Sequence, residues 1–207
     1  MARLLLVRHG ESTWNAQGRW QGWADPPLTD LGRAQAEAAA PAAAPVDAVV
    51  SSDLQRARET ADLMAAVLDM GPDLVHVEPD LRERDVGDFT GLTRAEIEER
   101  WPGVLSNVAA SIARDPRFGE TVEALATRVD AALARLAADF AGQRVLVITH
   151  GGVVRNLERS LGIEPEPLPN LGGREVAVDP DTGVVELGQR VLLLSPEDVP
   201  VTVPKQL

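Results

Sequence analysis

Two of the three histidines in this chain share a local context: an apolar run that ends in His-Gly. His9 follows "RLLLVR" and His150 follows "RVLVIT", with Gly10 and Gly151 directly after them. A neutral imidazole is a competent nucleophile near pH 7 and needs no metal to become one. Each histidine is either a satisfied core residue or a reagent, and the duplicated context favours the reagent. Glycine after the histidine lets backbone N–H groups approach an anion closely, and Arg8 adds a fork of charged donors beside the first imidazole. If the two strands are neighbours, these residues form a small cationic pocket suited to a tetrahedral oxyanion. The third histidine, His76, alternates with apolar neighbours in "LVHVE" and has no glycine after it, so its ring is expected on the polar face of a strand.

The elements that must carry these residues read as α/β. Short apolar runs at 4–7, 46–50 and 145–149 are too brief for buried helices and look like strands of a buried parallel sheet. Helical patterns occupy 30–40, 53–68, 93–101, 121–140 and 152–161, with Pro45 closing the Ala-rich first one and a Thr93/Glu96 capping box opening the third. The tail, "REVAVDPDTGVVELGQRVLLLS", reads as two strands around a turn at 179–183, which makes the sheet mixed. The expected architecture is a three-layer α/β/α sandwich with a mostly parallel mixed sheet, formed as a single domain over 1–207. In such sheets ligands gather at the carboxyl ends of the strands, where both His-Gly pairs fall.

Composition narrows the chemistry. Among 207 residues there is no cysteine, which excludes disulfides, thiolate nucleophiles and Cys-ligated metals. Twenty basic against 32 acidic residues give a net charge of −12, which repels a polyanion such as nucleic acid. A small phosphorylated metabolite is still admissible, because a few arginines in one pocket reverse the field locally. The N-terminal apolar run is too short for a signal-peptide core, and no stretch is long enough to span a bilayer. The cytoplasm is the expected address, with no membrane partner; a homodimer stays open.

Four segments, "LVRHGES", "SSDLQRARETA", "LRERDVGDFTGL" and "VITHGG", occur in the order of the signature blocks of the histidine phosphatase superfamily, also called phosphoglycerate-mutase-like. The chain resembles that family from Leu4 to about Arg155. The resemblance implies that His9 attacks phosphorus and becomes a phosphohistidine, that Arg8, Arg56 and His150 surround the phosphoryl oxygens, and that no metal or cofactor takes part. It also implies that Asn15 and Gln21, with Gly22 beside them, add neutral contacts to the phosphate or leaving oxygen, alongside Gly10 and Gly151. Glu83 becomes the proton donor by the same resemblance; composition alone does not separate it from Asp85 and Asp88. Arg58, two residues past Arg56 on one helix, faces elsewhere and serves as a control.

Within the family the sequence is most similar to compact bacterial phosphatases of small metabolites. Val86 stands where mutases carry an aromatic, "HGGVVR" departs from their fourth block, and "ARDPRFGET" replaces their paired-arginine insertion. Arg84 and Arg94 match basic mutase positions, so a cofactor-dependent phosphoglycerate mutase is the alternative. A non-catalytic phosphate-binding module is a third reading, against which the presence of all five expected catalytic residues speaks. The loops between 91 and 121, with Trp101 and Phe118, are expected to cap the leaving group, with Trp20 and Trp23 as further contributors.

Overall fold

The run "LLLV" is apolar at every position because its strand is covered on both sides. In the computed structural model, which describes residues 1–203 apart from 109, 112–114, 184, 196 and 198, this run lies in β1 (Ala2–Arg8). Leu4 and Leu6 enter one hydrophobic cluster, Leu5 and Val7 the other. The same alternation repeats in β4 (Arg144–Thr149), where Val145 and Val147 face one side and Leu146 and Ile148 the other. Both strands are therefore central, and truncating Leu146 to alanine would cost about 2–5 kcal/mol.

Six strands form one mixed sheet in the order β3-β2-β4-β1-β5-β6. The first four strands, β1, β2 (Ala48–Ser51), β3 (Val75–Val77) and β4, run parallel. The tail supplies β5 (Gly172–Val178), antiparallel to β1, and β6 (Val185–Leu192), antiparallel to β5. The expected hairpin thus sits at the sheet edge, its turn held by Asp179 Oδ1, which accepts from the N–H groups of Asp181 and Thr182.

Helices cover both faces. Besides the short α1 (Thr13–Gln17), α2 (Asp30–Ala43) and α3 (Gln55–Val67) lie on one side. They pack through small residues, Ala36, Ala39, Ala40 and Ala43 on α2 and Ala57, Ala61 and Ala65 on α3. The other face carries α5 (Val122–Asp139) and α6 (Gly151–Ser160), through residues such as Leu125, Val129, Leu133, Val153 and Leu157. A further helix, α4 (Arg94–Arg100), opens on the Thr93/Glu96 capping box expected for it. The α/β/α sandwich is as expected, with shifted boundaries: α2 runs through Pro41 on its exposed side to Ala43, and β2 begins at Ala48 rather than at 46. Among the described residues no helix is long and apolar enough to cross a membrane.

A smaller cluster stands apart from the sheet. Phe89 and Phe118 stack at 4.6 Å, and Trp101 meets Phe118 edge-on at 5.3 Å, with Ile97 and Leu105 buried beside them. Trp101 and Phe118, expected in the cap loops, form the interior of this cap, their apolar area used on each other. Residues 109 and 112–114 of the expected cap loops lie outside the described residues. His76 is exposed on β3, its ring 5.2 Å from that of Phe140.

Candidate active site

Neighbouring parallel strands bring the two His-Gly pairs together. β1 and β4 pair with Arg8 opposite Thr149, and the ladder ends with the His9 N–H donating to Thr149 O at 3.0 Å. The His9 and His150 rings then meet edge-on, centroids 5.2 Å apart. Both are buried, His9 3% and His150 0% exposed.

The hydrogen bonds of His9 define its reactive nitrogen. Its Nδ1 lies 2.7 Å from Gly10 O, which can only accept, so Nδ1 carries the proton and Nε2 the lone pair. Arg56 Nε donates to that lone pair at 3.2 Å. Burial, then Arg56, then Arg8 hold the His9 pKa well below its ordinary value, so the imidazole is neutral at pH 7. The pKa of His150 is lowered in the same way, first by burial and then by Arg56. His150 Nε2 pairs with Ser52 Oγ at 2.9 Å, and its buried Nδ1 has no partner among the described residues.

Arginines surround the imidazole. Arg56, fully buried at the start of α3, donates to Gly22 O at 2.9 Å and Ala24 O at 2.7 Å, which fixes the loop after α1 against the site. Arg8 reaches Leu168 O at 2.7 Å. Burial, reinforced by Arg155, brings the Arg8 pKa down to about 9; burial brings that of Arg56 down to about 10. Both remain cations at neutral pH, held close together without a full complement of anions.

One cleft is lined by Arg8, His9, Asn15, Gln21, Gly22, Arg56, Glu83 and Gly151, together with Arg19, Trp20, Arg84, Val86, Gly152 and Arg155. Glu83 is the sole carboxylate among these. Its oxygens accept from the Arg84 N–H at 2.7 Å and from the Gly152 N–H at 3.1 Å, at the N-terminus of α6, where the helix dipole favours negative charge. Arg128 of α5 fixes the supporting loop, donating to the carbonyls of Asp80, Arg82 and Glu83 while paired to Glu120 at 2.7 Å. Asp85 accepts from the Gly87 N–H, Asp88 is exposed, and neither lines the cleft.

The neutral amides point their donors inward. Gln21 Oε1 accepts from Ser12 Oγ at 2.8 Å and Asn15 Oδ1 from the Ser12 N–H at 3.2 Å, leaving their NH₂ groups as the free ends. Gly22 has a φ of +50°, and a Cβ there would meet Val86 Cγ2 at 2.8 Å. Gly10 does not line the cleft: its N–H donates to Thr60 Oγ1 at 3.1 Å and a Cβ would meet Gly32 O at 2.4 Å, so close packing on α2 accounts for the glycine. His150 adjoins the cleft through its edge-on contact with His9. Arg58 is exposed, away from the site, and so is Arg94. Trp20 lines the cleft, whereas Trp23, 45% exposed, donates its indole N–H to Glu83 O at 2.8 Å.

Sequence reasoning missed Arg155. It stands one turn into α6, lines the cleft, and has no hydrogen-bond or ion-pair partner among the described residues. Its i+4 spacing from Gly151 was the signal that could have found it. Among the described residues no group of three or more His, Asp or Glu is placed to hold a metal ion.

A neutral imidazole with a directed lone pair, guanidiniums beside it and one carboxylate in the same cleft are groups that can support transfer of a tetrahedral oxyanion. Comparison with known proteins agrees with this class. The profile described as histidine phosphatase superfamily (branch 1) matches residues 4–179, and the chain belongs to that superfamily. It is 42% identical over 160 residues to a metal-independent phosphoserine phosphatase of Arabidopsis thaliana, covering 75% of this chain and 66% of that protein. It is 37% identical over 177 residues to a 2,3-bisphosphoglycerate-dependent phosphoglycerate mutase of Methylocella silvestris, covering 81% and 85%. The structure of a mycobacterial glucosyl-3-phosphoglycerate phosphatase, in complex with VO₃, superposes with a TM-score of 0.77 at 29% identity, covering 90% of this chain and 96% of that one.

Proposed function

We propose that the chain is a metal-independent phosphomonoesterase that hydrolyses small phosphorylated metabolites in the cytoplasm through a phosphohistidine at His9. The observation that carries this reading is the His9 ring itself, with Nδ1–H bonded to Gly10 O and the Nε2 lone pair, to which Arg56 donates, in a cleft with Arg8, Arg56 and Glu83.

In the first step the Nε2 lone pair attacks phosphorus and the bond from phosphorus to the ester oxygen breaks. Glu83 gives its proton to the departing oxygen. Arg56 exchanges the imidazole for a phosphoryl oxygen, and with Arg8 it balances the charge that develops, which is most of what phosphoryl transfer requires. A phosphoryl oxygen also gives the His150 Nδ1 a partner. Asn15 and Gln21 supply NH₂ donors, and the Gly151 backbone at the start of α6 completes the anion site. In the second step Glu83, now ionised, takes a proton from water; the water oxygen bonds to phosphorus, the P–N bond breaks, and phosphate leaves with His9 neutral again.

The mutase reading draws on Arg84 in the cleft and on the mutase relative. Against it, Arg94 is exposed, and Val86 brings an apolar wall where a carboxylate would need a donor. A p-nitrophenyl phosphate assay in the presence of chelator tests the phosphatase. Turnover with release of inorganic phosphate supports hydrolysis, and no turnover at any pH contradicts it. Faster isomerisation of a phosphoglycerate than hydrolysis of any ester would favour the mutase.

A further inference from the structure

The segment before β5 touches the site from behind. Leu168 O accepts from Arg8, the Leu171 N–H donates to Arg8 O at 3.0 Å, and between them Asn170 is fully buried. Asn170 Nδ2 donates to His9 O at 2.7 Å and also lies 3.5 Å from Asn15 Oδ1. One amide group therefore contacts both the backbone that carries the nucleophile and the side chain of a cleft residue. The second contact has a directional effect. With the Ser12 N–H and Asn170 Nδ2 both turned to Asn15 Oδ1, the Asn15 oxygen is held away from the cleft and its NH₂ is presented to it. A flipped Asn15 would present a carbonyl oxygen to an anion.

The position of Asn170 is itself fixed. Its N–H donates to Thr202 O at 3.0 Å, Thr202 Oγ1 donates to Glu11 Oε2 at 2.5 Å, and Gln35 Nε2 donates to Pro200 O at 2.8 Å. Leu171 holds a φ of +55°, rare for a non-glycine residue, which is stabilised here by its bonds to Arg8 O and from the Leu193 N–H.

We propose that Asn170 is a positioning residue that sets two parts of the anion site at once, the orientation of His9 and the donor face of Asn15. This rests on the reading that His9 and Asn15 face a phosphoryl group. Asn170 does not line the cleft, so its effect is transmitted through those two residues.

The test is a titration with inorganic phosphate of the full chain, followed by the side-chain ¹⁵N signals of His9 and Asn15. In wild type, phosphate is expected to shift both. In Asn170→Ala, with cooperative melting retained, the affinity for phosphate should fall at least tenfold and the Asn15 NH₂ shift should be lost. If Asn170→Ala does not fold, Asn170→Ser, a smaller donor unable to reach both oxygens, is read in the same way. Phosphate that moves neither residue in wild type contradicts the phosphate-site reading itself. Phosphate that moves both residues with wild-type affinity in a folded Asn170 variant overturns the positioning role alone.

Discussion

Arg56 Nε lies 3.2 Å from His9 Nε2, so the guanidinium donates to the very lone pair proposed to attack phosphorus. A phosphoryl oxygen is a stronger acceptor than an imidazole nitrogen, so under the proposed mechanism a bound dianion would draw the guanidinium from the nucleophile.

Arg56→Ala should lower kcat/KM on the order of a hundredfold or more, about 3 kcal/mol of lost transition-state stabilisation. Arg58→Ala, on the exposed side of the same helix, should stay within about twofold, since surface changes away from a site cost little. Steady-state kinetics on the two variants checks this, and equal damage from both would contradict the placement of Arg56.

Glu83→Gln removes the titratable proton and keeps the shape. Hydrolysis of alkyl phosphates, whose leaving oxygen needs that proton, should fall about a hundredfold or more. With p-nitrophenyl phosphate the first step should suffer less, and a burst of nitrophenol should precede slow turnover because water attack has lost its base. Wild-type rates on both ester classes, with loss in Asp85→Asn instead, would assign the acid to the other carboxylate.

Gly152 gives a separate handle on the same acid. A Cβ at this position would lie 1.9 Å from Glu83 Oε1, so Gly152→Ala must displace the carboxylate. Alkyl phosphate hydrolysis should drop on the order of a hundredfold, as misplacement by about 1 Å can do. Helix propensity favours alanine by about 1 kcal/mol, so the melting temperature should hold while activity falls. A variant as active as wild type would show that the carboxylate need not sit where the structure places it.

What the sequence made legible was local or duplicated. The repeated strand-His-Gly context marked His9 and His150, and the continuous apolar runs of β1 and β4 marked strands buried on both faces. Boundaries were less legible: α1 is five residues held by Ser12 and Asn15, too short for any periodicity. Gly10 looked like an anion contact because a glycine after histidine suits both roles, and only the approach of Gly32 O shows which one applies. Trp101 and Phe118 are legible as cap-loop residues, and their packing on each other is what the size of aromatic side chains favours. Asn170 lies in a Pro-rich loop with no local signal, because its value comes from β5 pairing with β1 and carrying that loop under His9.

The depressed pKa values of His9 and His150 set a stability slope. Above the unfolded value, near 6.5, both rings are neutral in both states and contribute no pH dependence. As pH falls below about 6.5 the unfolded chain binds protons that the folded chain does not, so folding stability is lost on the acid side. Each ring should contribute up to about 1.4 kcal/mol per pH unit until its folded pKa is reached. Denaturant unfolding at pH 7 and pH 5.5 without phosphate should show the decline, and His150→Gln should reduce its slope; an unchanged slope would contradict the buried neutral ring.

The central claim is a covalent phosphoryl group on His9. Rapid mixing of the enzyme with a ³²P-labelled phosphate ester in chelator, quenched in alkali, should trap label on the wild-type chain. That label should survive base, be released by acid, and map to His9, and a folded His9→Ala variant should carry none and turn over no ester. Turnover by His9→Ala at the wild-type rate, or label that maps to another residue, would contradict the account.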